Sequence, residues 1–289
     1  MLADRFTRIA WIALLLFFAV GAASPVEEAD RAWQQRATLV DGKVAISEPN
    51  ARAALRGFEA ALERNPEDAS LLFRVFEARY FVGEFVSTVS DERERLYDES
   101  VKDSEKLLKR MLQEAAVASD FASKSLEEQA QVWRTIPHAT EAHFWSAINW
   151  GLWGMSHGYF ASARKDVAGK IRDHGRLVIL LDDHFADGGG YRLLGRLHTL
   201  TPRIPFFTGW VDIDTGITLL EQAYRVSRKD IRNALFLGEA LLRKGADRQV
   251  EAKALLKEVA GHSPSRAHLA EESQSIAQAR KRLAELAEF

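Results

Sequence analysis

Two stretches of this chain follow one pattern. LRGFEAALERNPEDASLLFRVFEARYFVG (Leu55 to Gly83) aligns without a gap on ITLLEQAYRVSRKDIRNALFLGEALLRKG (Ile217 to Gly245), 162 residues further on. Glu59 falls on Glu221, Ala61 on Ala223, Asp68 on Asp230, Glu77 on Glu239, Ala78 on Ala240 and Gly83 on Gly245. Each copy reads as an apolar-periodic helix, a polar turn and a second helix ending near glycine. The small Ala61 and Ala78 leave room for the two helices to approach closely. A hairpin of this kind cannot bury its apolar faces alone, so the repetition predicts stacked helical hairpins with a concave side.

The unit, with its NPED turn, resembles a tetratricopeptide unit, whose period is about 34 residues. The offset is no multiple of that period, so the intervening hairpins carry insertions, of which Ser119 to Pro137 is the obvious one. Helical patterns extend over most of the rest, among them Glu92 to Phe121, Thr140 to Gly154, Ala161 to Phe185 and Tyr191 to Leu200. No convincing run of alternating β-branched residues follows the amino-terminal region, and the seven prolines fall mostly between helical patterns. The expected fold class is all-α, an α-α superhelix of tetratricopeptide-like hairpins.

The first residues carry Arg5 and Arg8, an apolar run from Ile9 to Val20 and then small residues. The run is short for a bilayer span and suits a secretory signal. The expected organisation is a signal peptide over residues 1–23 and one helical domain over residues 24–289. The expected location is the periplasm, with an uncleaved amino-terminal anchor in the inner membrane as the alternative. With no cysteine in the chain, neither a disulfide nor a cysteine-linked lipid is available, and stability must come from the core. Basic and acidic residues nearly cancel, 39 against 41, so there is no global field for nucleic acid, and none is expected as a partner.

Several motifs invite chemistry. GMSHG (Gly154 to Gly158) matches Gly-x-Ser-x-Gly with Ser156 as nucleophile, but that chemistry needs a strained strand-to-helix turn, and a helical pattern precedes it here. The glycines read better as a helix end. In HATEAH, His138 and His143 are five apart, whereas zinc-binding histidines on one helix face are four apart. DDHF (Asp182 to Phe185) offers metal-ligand types at a helix end, where acids are usually just solvated. No catalytic residue, metal or cofactor is expected.

EAHFWSAINWGLWGM leaves scarcely any polar face, so its helix should be buried on most sides. An amide among tryptophans, Asn149, requires a hydrogen-bond partner. In DGGGYRLLGRLHTLTP, Gly190 and Gly195 have phosphate-loop spacing, but Arg196 and Leu197 follow where lysine and a hydroxyl are needed. The steric reading remains: a tight corner, with Asp187 capping the helix start and Gly195 admitting a neighbouring helix. Arg192 and Arg196, four apart on one face, are expected to pair with nearby acids, with an anionic ligand as the alternative. A nearly all-apolar helix close to a glycine-hinged basic one makes Trp145, Asn149, Trp150, Tyr191, Arg192 and Arg196 the candidate cavity-lining residues.

At these residues the chain resembles the T component (TatT) family of tripartite ATP-independent periplasmic (TRAP) transporters. The resemblance rests on EAHFWSAINWGLWG, then on Gly189, Gly190, Tyr191, Arg192, Leu194, Gly195, Arg196, Leu197 and Pro202, and then on Asn233, Phe236, Leu237, Glu239 and Leu241, in order. It is clearest from Thr140 to Arg243. It implies a periplasmic tetratricopeptide-like protein that tends to form a homotrimer. The implied partner is the substrate-binding P component, and the implied site is a pore or cleft for a small hydrophobic or anionic ligand, without catalysis. Well-known members are lipoproteins; this chain has no cysteine to carry the lipid. The alternative from a different class is a general envelope tetratricopeptide adaptor that binds proteins and no small ligand.

Overall fold

The computed structural model describes residues 24–287. Helices dominate, joined as successive antiparallel hairpins, so the class is all-α. Helix α1 (Pro25–Gln34) opens on a capping box in which Ser24 and Glu27 satisfy each other's backbone N–H, with proline in the first turn. A small antiparallel hairpin follows, β1 (Ala37–Val40) paired with β2 (Lys43–Ile46). The patterning along the chain predicts no strand here. Asp41 and Gly42, at φ 50° and 73°, form the Asp-Gly turn that two-residue hairpins favour, and that local signal decides the segment.

Helices α2 (Glu48–Arg64) and α3 (Ala69–Phe81) are the first copy of the repeat, and α9 (Ile213–Val226) and α10 (Ile231–Lys244) the second. The aligned aspartates do the same work: Asp68 accepts the Leu71 N–H at 3.0 Å and Asp230 the Arg232 N–H at 3.0 Å. The aligned alanines, Ala61 with Ala223 and Ala78 with Ala240, are all buried. The closing glycines differ. Gly83 sits in a π-turn (Val82–Val86) against Tyr97, whereas Gly245 ends α10 at φ 132°.

Between the copies lie α4 (Ser90–Glu114), α5 (Leu126–Trp133), α6 (Ala139–Arg164), α7 (Val167–Leu181) and α8 (Phe185–Leu200). Several boundaries differ from the sequence reading, and α8 begins at Phe185, ahead of the expected Tyr191. The chain leaves α4 at Glu114, and α6 runs through Ala161 to Arg164 with a kink at Gly158, whose φ of 79° breaks the helix without ending it. After α10 come α11 (Gln249–Ala260) and α12 (Leu269–Glu285).

The glycine run is a three-way junction. A Cβ on Gly188 would lie 3.1 Å from the Ala223 backbone in α9, one on Gly189 2.6 Å from the Phe144 ring in α6, and one on Gly190 2.8 Å from Ile179 in α7. Gly188, at φ 77°, also needs a conformation closed to most side chains. The steric expectation holds, with one correction: Asp187 caps nothing with its side chain. It stands at φ 58°, and its carbonyl accepts from Arg192 and Asn233. Lower down, Gly195 and Gly216 let α8 and α9 touch backbone to backbone.

Three apolar clusters fill the hairpin stack. The first joins Phe58, Phe81, Leu96 and Trp150 near the amino-terminal hairpin, the second Phe76, Leu107, Trp133 and Trp145, and the third Leu220, Leu235, Leu241 and Leu256. The stack also closes on itself. Ala270 of α12 belongs to the first cluster, α12 touches both strands, and the Arg36 guanidinium donates to the Ala267 carbonyl at 2.6 Å. No helix among the described residues is long and apolar enough to cross a membrane.

Candidate functional site

The glycine junction fixes where α8 begins, and so delivers Arg192 to the start of α10. Its guanidinium donates to Asn233 Oδ1 at 2.9 Å and to the carbonyls of Ala186 and Asp187 at 3.1 and 3.3 Å, and lies 3.1 Å from Asp230. Burial, followed by the charge of Arg232, pulls its pKa down to about 10, against the opposing pull of Asp230 and Asp187. Asp230 serves two guanidiniums and a helix amino terminus at once. Burial alone would raise its carboxyl; the Arg232 hydrogen bond and the charges of Arg192 and Arg232 outweigh burial and hold it below its usual value.

One turn along α8, Arg196 pairs with Glu239 at 3.0 Å and lies 4.0 Å over the Phe236 ring. Glu239 also accepts from Gln278 at 2.6 Å and Arg282 at 3.1 Å on α12. Two charged rungs therefore cross from α8 to α10, and the second continues to α12. The expectation that Arg192 and Arg196 pair with acids is met, and both partners, Asp230 and Glu239, stand at repeat positions that carry Asp68 and Glu77 in the first copy.

Glu77 and Tyr80 of α3 share this interior with Arg232 and Glu271, from the other end of the chain. Burial raises both the Glu77 carboxyl and the Tyr80 hydroxyl. Yet the side chains of Glu77 and Arg232 keep 40% and 38% of their exposure. These groups are packed among other side chains yet keep part of their surface in solvent. In the same interior Arg36 Nε and Glu271 Oε2 are buried without a hydrogen-bond partner. This cluster carries charges of both signs and can offer charge-assisted hydrogen bonds to a small solute. It was invisible in the sequence because it joins α3 to α10 and α12.

The tryptophan helix is placed differently. Trp145 packs on Phe76 with ring centroids 6.1 Å apart, and Trp150 on Trp153 at 5.7 Å, with the Lys170 ammonium 3.8 Å over its ring. Asn149 finds its partner in Ser104 Oγ, 2.7 Å away on α4. All three are core contacts of α6, away from the rungs. Tyr191 is half-buried and reaches only Asp183, at 3.5 Å. None of the six candidate residues lines either of two surface cavities, of about 350 and 280 Å³.

The smaller cavity does include Ser156. Its Oγ lies 3.0 Å from His157 Nδ1, and His157 Nε2 lies 3.3 Å from Asp98, an acid that no sequence motif marks. The string resembles a nucleophile, a base and an orienting acid, but its setting is a helix. Ser156 Oγ also donates to the Trp153 carbonyl at 3.1 Å, as a helical serine does, and Asp98 accepts from Trp153 Nε1 at 2.6 Å. The backbone amides at 156 and 157 lie inside α6, so no pair of free N–H groups faces the hydroxyl to stabilise an oxyanion.

The histidines of HATEAH do not converge. His138 precedes α6 in the left-handed region at φ 62°, and His143 pairs instead with His174 of α7, Nδ1 to Nδ1, at 2.9 Å. Asp182, Asp183 and His184 bring three ligand-type atoms within 4.8 Å, all exposed, but their contacts are those of a turn: His184 bonds Asp183 at 2.7 Å and Asp182 at 3.0 Å. The chain matches no family model and no curated protein.

Proposed function

We propose that this chain is a non-enzymatic periplasmic accessory protein of a TRAP-type solute uptake system. In this reading it docks the substrate-binding P component as a homo-oligomer, a trimer by the sequence resemblance, and uses no cofactor or metal. One observation carries the ligand part of the reading. The ribbon of hairpins closes through Arg36 and Ala267, and near that seam Glu77, Tyr80, Arg232 and Glu271 form a polar cluster in which the Glu77 and Arg232 side chains stay partly exposed. A closed wall with charged groups of both signs suits a small polar or anionic solute better than a wholly hydrophobic one. The partner rests on the order of motifs from Gly189 to Leu241.

The test is co-purification of the tagged chain from cells that express a TRAP system. Recovery of the P component with the chain supports the proposal. Recovery of envelope assembly factors alone would replace it with the general tetratricopeptide adaptor. Arg232→Ala in the same experiment should leave the P component bound while weakening retention of solute at least several-fold.

A further inference from the structure

Antiparallel hairpins give the stack two edges. On one edge α4, α7, α9 and α11 begin and α3, α6, α8 and α10 end. Antiparallel packing of α8 on α9 is fixed by Gly188 against Ala223 and Gly195 against Leu220. Among the described residues, the large apolar side chains that are exposed fall in the β-hairpin, just before α4, at the start of α11, and above all in two knuckles on this edge.

The first knuckle is the kinked end of α6, where Met155 and Phe160 are 71% and 85% exposed, with Tyr159 beside them. The second is the loop from α8 to α9, where Phe206 is fully exposed and Phe207 half so, next to Leu200. That loop is built to present them. Thr208 Oγ1 accepts the Ile204 N–H at 3.0 Å and donates to the Pro202 carbonyl at 2.5 Å, while Phe206 stands at φ 68°, unusual for a bulky residue. Arg172 lies 4.9 Å from the Trp210 ring, which ties the loop to the start of α7. Helix α7 packs against both α6 and α8, whose ends carry the two knuckles.

Between them is the turn from α6 to α7, which carries Arg164 and Lys165. Neither has an ion-pair or side-chain hydrogen-bond partner among the described residues. We propose that the two aromatic knuckles and the unpaired Arg164 and Lys165 form a docking face for an anionic phospholipid membrane. Cations set between exposed aromatic tips match the layering of lipid phosphates over acyl chains. A protein partner would need one contiguous complementary patch, whereas separate protruding tips need only a surface that yields. The proposal does not depend on the uptake function.

The natural absence of cysteine allows a site-specific test in the full chain. Phe160→Cys, Phe206→Cys and, on the opposite edge, Ala118→Cys would each carry an environment-sensitive fluorophore. With phosphatidylglycerol-containing vesicles, the labels at 160 and 206 should brighten several-fold and shift to the blue, the label at 118 should not, and phosphatidylcholine vesicles should give little change. Arg164→Glu with Lys165→Glu should abolish the response at unchanged helical circular dichroism. The proposal is overturned if the labels at 160 and 206 stay in water, if the label at 118 responds equally, or if the two labels respond to protein concentration without lipid. Because the readout is local, attachment through the amino-terminal residues does not imitate it.

Discussion

Asp230 holds Arg192 at 3.1 Å through the oxygen that also binds Arg232, while its other oxygen caps α10. Removing this carboxylate leaves a buried guanidinium uncompensated and a helix end uncapped. Asp230→Ala should cost about 3–5 kcal/mol, the range for breaking a buried pair from one side. Asp230→Asn retains a capping oxygen and should cost less. Urea unfolding midpoints of the two variants decide the order.

Glycines in this fold divide by what stands opposite them. Gly189→Ala drives a methyl to within 2.6 Å of the Phe144 ring and should destabilise by about 1–3 kcal/mol through overpacking. Gly151→Ala, within α6 and with only Ile171 near at 3.9 Å, should stabilise by about 0.5–1 kcal/mol through helix propensity. Thermal melts of both variants should move in opposite directions.

The His143–His174 pair makes stability fall in acid. Burial, together with the charge of His174, drives His143 well below 6.5, and burial takes His174 down to about 4, with Asp173 opposing and Lys170 assisting. Both groups are therefore neutral in the fold and bind protons more readily when unfolded. Their contribution is complete above pH 6.5 and is lost as pH falls from there toward 4. Each pH step of one over which a single histidine is protonated only when unfolded removes about 1.4 kcal/mol. Denaturation midpoints measured between those pH values should drop less steeply in His174→Gln than in the parent chain.

Ser156 should not act as a nucleophile. Incubation with a fluorophosphonate should give no mass increase on the chain, and Ser156→Ala should leave partner and solute binding unchanged. Stoichiometric labelling lost in that variant would mean that the Ser156, His157 and Asp98 string is catalytic after all.

Local order was legible where it rests on local physics. Asp68 and Asp230, spaced identically within the two copies, cap their helices as the repeat implies, and the tryptophan helix is buried as its missing polar face requires. The glycine run could be read as steric from the lack of a lysine and a hydroxyl, though not which three helices it joins. Asp41 and Gly42 were legible in principle: two short strands have too few alternations to register, while the turn between them is explicit. The polar cluster of Glu77, Tyr80, Arg232 and Glu271 was not, because its residues meet only when the ends of the chain do, and Arg36 and Ala267 are 231 positions apart. For the same reason, the rungs through Asp230 and Glu239 show in the sequence only as two arginines with unknown partners.

The seam at Arg36 changes how such a molecule comes apart. A linear array of hairpins frays, shedding its outermost unit while the middle stays intact. Here the outermost units guard each other, so neither can peel away until the clasp between them parts. Denaturation should then proceed as one concerted event, and cutting the clasp by replacing Arg36 should turn a single transition into a staggered one.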